Sequence, residues 1–201
     1  MSKETRFFSP EFRVDADDGV KRISGYAAVF DKWSEDLGWF REKIAPGAFA
    51  DALKKSDTVA LFNHDSNLVL GRTSNGTLRL KEDEVGLHME VDLPDTQAAS
   101  DLYKLVERGD IKQQSFGFIV EENEWRYGKN GELDERTITR VSDLFDVSPV
   151  TYPAYPDTSV AKRSFDIQKS NEIVGNDSDD IVTENENIDI ELLLNKYEVG
   201  K

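Results

Sequence analysis

Gln113-Gln114-Ser115-Phe116-Gly117-Phe118-Ile119-Val120 reads as a buried β-strand carrying one small polar residue. Phe116, Phe118 and Val120 share one face at period two, and Ser115, Gly117 and Ile119 share the other. A serine with a glycine two residues on leaves open space beside its hydroxyl. A nucleophilic serine needs that space, because a substrate carbonyl must come within about 3–3.5 Å. The plainer reading is a strand serine beside a packing glycine. The rest of the chain decides between them.

Around this strand the sequence alternates short extended runs with turns. Arg22–Phe30, Thr58–Phe62, Gly86–Leu93 and Thr137–Val147 read as strands, with Gly25 suggesting a bulge or a close backbone contact. Phe7, Phe8, Phe12 and Val14 suggest an edge strand, and Trp39–Ile44 follows the polar link Asp31–Gly38. Asn75-Gly76 signals a two-residue hairpin. Pro46–Lys55 predicts a short helix with Phe49, Ala52 and Leu53 on one face. A longer helix is predicted over 96–108, with Asp95 as N-cap, an Ala98, Leu102, Leu105 and Val106 stripe, and Gly109 as its stop. Pro149, Pro153 and Pro156 are expected to break the last ladder into a rigid loop, Ser148 to Ser159. The sum predicts a mostly β, α+β fold: a curved antiparallel sheet or barrel with outer helices.

Composition excludes several functions. The 201 residues carry a net charge of −15, which argues against phosphate-rich partners, so neither nucleic acid nor an anionic membrane is expected. No apolar run approaches the ~20 residues of a spanning helix, and the N-terminus lacks an apolar signal core, so a soluble cytosolic protein is expected. The chain has no cysteine, which removes disulfides, thiolate metal sites and cysteine nucleophiles. Residues 166–201 hold ten acidic residues against three lysines and read as a disordered acidic tail. Its apolar patch Ile188–Leu194 would suit a transient docking helix.

A serine nucleophile needs a base and a group that orients the base. Of the two histidines, His64 follows a strand end, where side chains project toward a site. Its plainer role is a loop histidine held by Asn63 or Asp65. Asp146 is a lone carboxylate inside the apolar run Leu144–Pro149, so it requires a partner. That partner is a histidine, an arginine such as Arg140, or backbone amides. His88 shares a face with Glu90 and Asp92 and reads as a surface residue, with a minor claim to the third place. No metal-ligand spacing is present, so neither a metal nor another cofactor is expected. The order His64, Ser115, Asp146 is not that of the chymotrypsin, subtilisin or α/β-hydrolase types, and no G-x-S-x-G elbow occurs.

Several stretches together resemble the prohead (capsid maturation) proteases of tailed phages, of the HK97 type. They are Gly25–Asp31, Phe40–Phe49, Asn63-His64-Asp65, Gly71-Arg72-Thr73, Gly86-Leu87, Leu93–Thr96, Gln114–Phe118 and Asp146–Tyr155, spanning about residues 22–160. The resemblance implies a protease domain over residues 1–165, similar in fold to the herpesvirus assembly proteases, followed by the tail at 166–201. It implies Ser115 as nucleophile, His64 as base and an acidic third member at Asp146. The family commonly has glutamate there, so the shorter aspartate must approach the imidazole more closely. The herpesvirus relatives use a second histidine in that role, but it follows the serine, whereas His88 precedes Ser115. The implied task is cleavage of the scaffold, or of the N-terminal scaffolding segment of the major capsid protein precursor, and of the protease itself. It would take place in the host cytoplasm, inside the immature prohead. A homo-oligomer is compatible with this, and the tail suits a detachable segment. The rival reading is a non-catalytic scaffold or head-assembly module on the same fold.

Overall fold

Two long adjacent strands form the backbone of the fold. The computed structural model describes residues 3–8, 12–17, 19–129 and 131–152. In chain order these are β1 (Glu4–Phe8), β2 (Arg13–Asp17), β3 (Val20–Val29), β4 (Phe40–Ile44), α1 (Ala52–Lys55), β5 (Val59–Phe62), β6 (Asp65–Arg72), β7 (Leu78–Glu82), β8 (Gly86–Asp92), α2 (Gln97–Glu107), β9 (Gln113–Arg126) and β10 (Asp134–Val150). The expected acidic tail and most of the expected proline loop lie outside the described residues.

β9 and β10 pair antiparallel over nearly their whole length. The other edge of β10 serves two strands in turn. Asp134–Ile138 lie parallel to β4, and Asp146 and Val147 lie parallel to β5. A straight strand could not serve both. Register shifts between Ile138 and Asp146 bend β10, as bulges do by adding local twist. The polar groups freed there find partners. Val141 N–H donates to the Ala48 carbonyl, Leu144 N–H donates to Ser56 Oγ, and Thr58 Oγ1 donates to the Leu144 carbonyl.

The six-stranded sheet runs β1-β9-β10-β5-β6 with β4 also on β10, and a second sheet runs β2-β3-β8-β7. Neither closes into a barrel, and the larger one is mixed rather than antiparallel, because β4 and β5 both join β10 parallel. Their shared core holds Phe49, Phe116, Phe118, Leu87, Met89 and Val91, all fully buried. The Phe49 and Phe116 rings meet edge-on at 5.7 Å.

Several sequence expectations need correction. Asn75-Gly76 does not make a hairpin: β6 and β7 belong to different sheets, and the link passes the chain from one to the other. Asp57 accepts from Arg72 Nε and Ser74 N–H, fixing that corner instead. The Phe7–Val14 region is two strands, one in each sheet. The bulge in β3 lies between Tyr26 and Ala28, not at Gly25. The first helix is only four residues, because Gly47 sits at φ +84 and the chain before Ala52 runs in turns. Thr96, not Asp95, caps α2, its Oγ1 accepting from Ala99 N–H, and Ala99 rather than Ala98 is buried. Pro149 stays within β10, which continues to Val150.

Gly86 lets β8 lie close against β3: a Cβ there would lie 2.0 Å from the Ala28 carbonyl oxygen. Backbone cannot yield as a side chain can. Gly86→Ala is expected to destabilise the protein by about 1–3 kcal/mol, with β3 and β8 forced apart. Urea unfolding would measure this, and an unchanged midpoint would contradict the packing described.

Candidate active site

The three candidate residues come from three neighbouring strands, and the topology explains why they meet. Asp146 lies on β10, opposite Gly117 of β9 on one side and Val59 of β5 on the other. Ser115 stands two residues before Gly117. His64 follows β5 directly, in the turn to β6.

That turn has an uncommon backbone. Asn63 and His64 have φ of 56° and 58°, the left-handed values of a type I′ hairpin turn. Such values disfavour most side chains but are tolerated by Asn and His. The turn is tied to the end of β10. Asn63 N–H donates to the Pro149 carbonyl at 3.0 Å, and Thr151 N–H donates to Asn63 Oδ1 at 2.8 Å. Asp65 instead accepts from Asn67. Neither flanking residue holds the imidazole, which is free to point inward.

There it bridges the other two groups. His64 Nδ1 lies 2.5 Å from Asp146 Oδ2, and His64 Nε2 lies 2.7 Å from Ser115 Oγ. The aspartate therefore reaches despite its short side chain. Asp146 is nearly inaccessible and has two further partners: Ser148 Oγ donates to Oδ2 at 2.8 Å, and Lys3 Nζ donates to Oδ1 at 3.1 Å. Burial alone pushes this carboxyl up. The hydrogen bond and charge of His64, with Ser148 and Lys3, outweigh burial and hold it below the usual carboxylate value. With Asp146 ionised it must accept from Nδ1–H, which leaves Nε2 of a neutral ring as an acceptor facing the serine hydroxyl. An alcohol, an imidazole and a carboxylate so connected can pass a proton from the first to the second.

The glycine expectation needs revision. A Cβ on Gly117 would fall 2.6 Å from Asp146 Oδ1 and 2.5 Å from Lys3 Cε. Gly117 makes room for the carboxylate and its lysine, not for a ligand beside Ser115. Ser115 itself is wholly buried, because β1 lies antiparallel on the β9 edge with Phe7 opposite Ser115. The Ser115 hydroxyl donates to the Arg6 carbonyl at 2.9 Å, so that carbonyl competes with His64 Nε2 for one proton.

The other candidates lie elsewhere. His88 is on β8 in the second sheet, its ring edge-on to Tyr26 at 5.3 Å. Arg140 pairs with Glu121 and Glu122 rather than Asp146. Among the described residues, no group of three or more acids and histidines is arranged to hold a metal.

Sequence reasoning missed a buried ionic cluster on the face of the sheet opposite to the Ser115 side chain. Glu4 and Arg6 of β1 meet Glu42 of β4 and Arg136 of β10, each at most 7% exposed. Arg6 holds Glu42 through Nε and through Nη2 at 3.0 Å, and Arg136 holds Glu4 at 2.9 and 3.1 Å. Burial would lower the Arg6 guanidinium, but the two carboxylates raise it further above its ordinary value. The signal was available: Glu42 and Arg136 each stand two residues from a fully buried isoleucine, Ile44 and Ile138, on the buried face of a strand.

Comparison with known proteins adds the family. A family model described as the caudovirus prohead serine protease matches residues 10–173. No curated protein matches the chain. Among solved structures it is similar to the bacteriophage T4 capsid assembly protease, at 9% identity and a TM-score of 0.40, covering 73% of this chain and 98% of that one. The family match runs through positions 64, 115 and 146 and over most of the sequence, and on that ground the chain belongs to the caudovirus prohead serine proteases.

Proposed function

We propose that this chain is an endopeptidase in which Ser115 is the nucleophile, His64 the general base and Asp146 the group that orients and supports the imidazole. One observation carries the reading: the unbroken path from Ser115 Oγ through His64 to Asp146, at 2.7 and 2.5 Å. His64 Nε2 takes the hydroxyl proton as Oγ attacks the scissile carbonyl. The resulting imidazolium is paired with Asp146, which remains ionised. His64 then returns the proton to the leaving amine, and an acyl-serine remains. Water, deprotonated by the same imidazole, hydrolyses the ester and restores the enzyme.

The substrate in this reading is the major capsid protein precursor or its scaffold, together with the protease itself, cut within the immature prohead in the host cytoplasm. Family membership supports it, since a prohead protease acts during capsid maturation. A foreign peptide reaches Ser115 only when β1 leaves the β9 edge, because the hydroxyl is fully covered in the fold described.

Incubating the protein with its capsid precursor and following cleavage by mass spectrometry tests this directly. Ser115→Ala is expected to abolish processing while leaving the melting temperature unchanged; processing by that variant would refute the nucleophile assignment. Asp146→Asn is expected to lower kcat by roughly 10⁴-fold, since the amide favours the wrong imidazole tautomer. A loss under tenfold would remove Asp146 from the mechanism.

Asp146 also gives a stability signature. Its carboxyl is depressed in the fold, so its contribution is fully present above the unfolded value and is lost as pH falls through the folded one. Unfolded aspartate titrates near ~3.9. The stability margin of the parent over Asp146→Asn should shrink as pH falls below about 4. Urea unfolding between pH 5 and pH 2.5 would show it, and a margin that grows over that range would contradict the depressed carboxyl.

A further inference from the structure

We propose that Glu42 and Arg136 read the peptide ahead of the bond to be cut: an arginine or lysine immediately before that bond, and an acidic residue two positions earlier. This rests on the reading of Ser115 as the nucleophile.

β1 adds to the β9 edge as an extended peptide adds to an open sheet, with main-chain pairing along the strand and side chains alternating between faces. Its register sets the Arg6 carbonyl oxygen 2.9 Å from Ser115 Oγ. Of the β1 carbonyls, that of Arg6 is the one this hydroxyl contacts, so a substrate strand taking the place of β1 in the same register would bring the corresponding bond beside Ser115.

Glu4 and Arg6 are two residues apart on one face of β1. That face enters a pocket walled by Glu42 and Arg136, which are adjacent across the β4–β10 pairing. Glu42 takes the Arg6 guanidinium on two of its nitrogens, and Arg136 takes the Glu4 carboxylate with two of its own. These are two-point, charge-assisted contacts, which fix geometry as well as charge. Arg6 also lies over the Phe118 ring at 5.9 Å, three residues along β9 from the serine and on the other face of the strand.

When β1 is displaced, Glu42 and Arg136 keep their mutual contact, at 3.3 Å, and Arg136 keeps its place over the Trp125 ring. Both are deep in the protein, and the partners they lose were a base and an acid at a fixed spacing. An incoming strand with an apolar residue before the scissile bond would leave the buried Glu42 carboxylate without the two guanidinium contacts that Arg6 makes, and with Arg136 Nη1 at 3.3 Å as its remaining donor from this cluster. Sites built on buried polar contacts reject ligands that lack the matching group far more strongly than apolar pockets do. Lysine would satisfy the charge but not the two-point geometry, so it should rank below arginine. A purely structural ionic cluster would make no such demand on a substrate.

The test uses the full-length protein, a synthetic library of unstructured peptides and mass spectrometry, with Ser115→Ala as control. Only cuts absent from the control are counted. The proposal expects those cuts to follow arginine, then lysine, with aspartate or glutamate two residues before. It expects replacement of that arginine by alanine to lower kcat/KM ~10²-fold or more. Cuts that depend on Ser115 but follow other residues would overturn the proposal and leave the protease reading intact. No cut that depends on Ser115 would sink the protease reading and this one with it. Glu42→Gln should relax the preference for a basic residue. If that variant fails to fold, the substrate series with the parent enzyme still decides the matter.

Discussion

A carboxylate buried beneath the sheet organises the site. Asp146 sits where β10 is paired on both sides, and an unpaired ion there would cost several kcal/mol. Its neighbours answer that cost one by one. Gly117, directly opposite, has no side chain and so leaves the space the carboxylate occupies. Ser148 and Lys3 each supply a donor. His64 supplies the remaining one, at 2.5 Å. Since β9 flanks Asp146 on one side and β5 on the other, the strand carrying Ser115 and the turn carrying His64 are both nearest neighbours of one residue. The convergence follows from strand order, not from long flexible side chains.

The same central strand explains the second feature of the site. β10 is bent by its bulges, so it can hold β4 along its first half and β5 along its last. Its first half brings Arg136 beside Glu42, and its last half brings Asp146 beside His64. β1 spans both features. Lys3 reaches Asp146, and Glu4 and Arg6 complete the ionic cluster. An exposed edge at β9 would be a ready template for any extended chain, and here the protein covers that edge with its own first strand.

Much of this was legible in the residues. The period-two run through Phe116, Phe118 and Val120 marked β9, and all three are buried. Asp146 stood out because an acid inside an apolar run demands a partner, and His64 because it closes a strand. The failures have physical reasons. Asn75-Gly76 carries the local chemistry of a hairpin turn, but whether the flanking strands pair depends on distant sheets, and here they part. Pro149 lacks a donor, yet its carbonyl still accepts from Asn63 N–H, so β10 passes through it. Gly117 was assigned to the wrong neighbour, because the residue needing its space comes 29 positions later, across a strand pairing. Nothing in the sequence near Glu4 and Arg6 marks them for burial, which comes with the docking of β1 on β9.

The account depends on the proton path through His64, and the chain offers a clean view of it, having only two histidines. In a nitrogen-15 and proton NMR spectrum at neutral pH, assigned with His64→Ala, the account predicts a proton held on His64 Nδ1, shifted far downfield by Asp146, with Nε2 unprotonated. That proton resonance should vanish in Asp146→Asn while the His88 signals stay in place. A His64 Nδ1 proton that exchanges freely with water, its resonance unmoved by Asp146→Asn, would contradict the account.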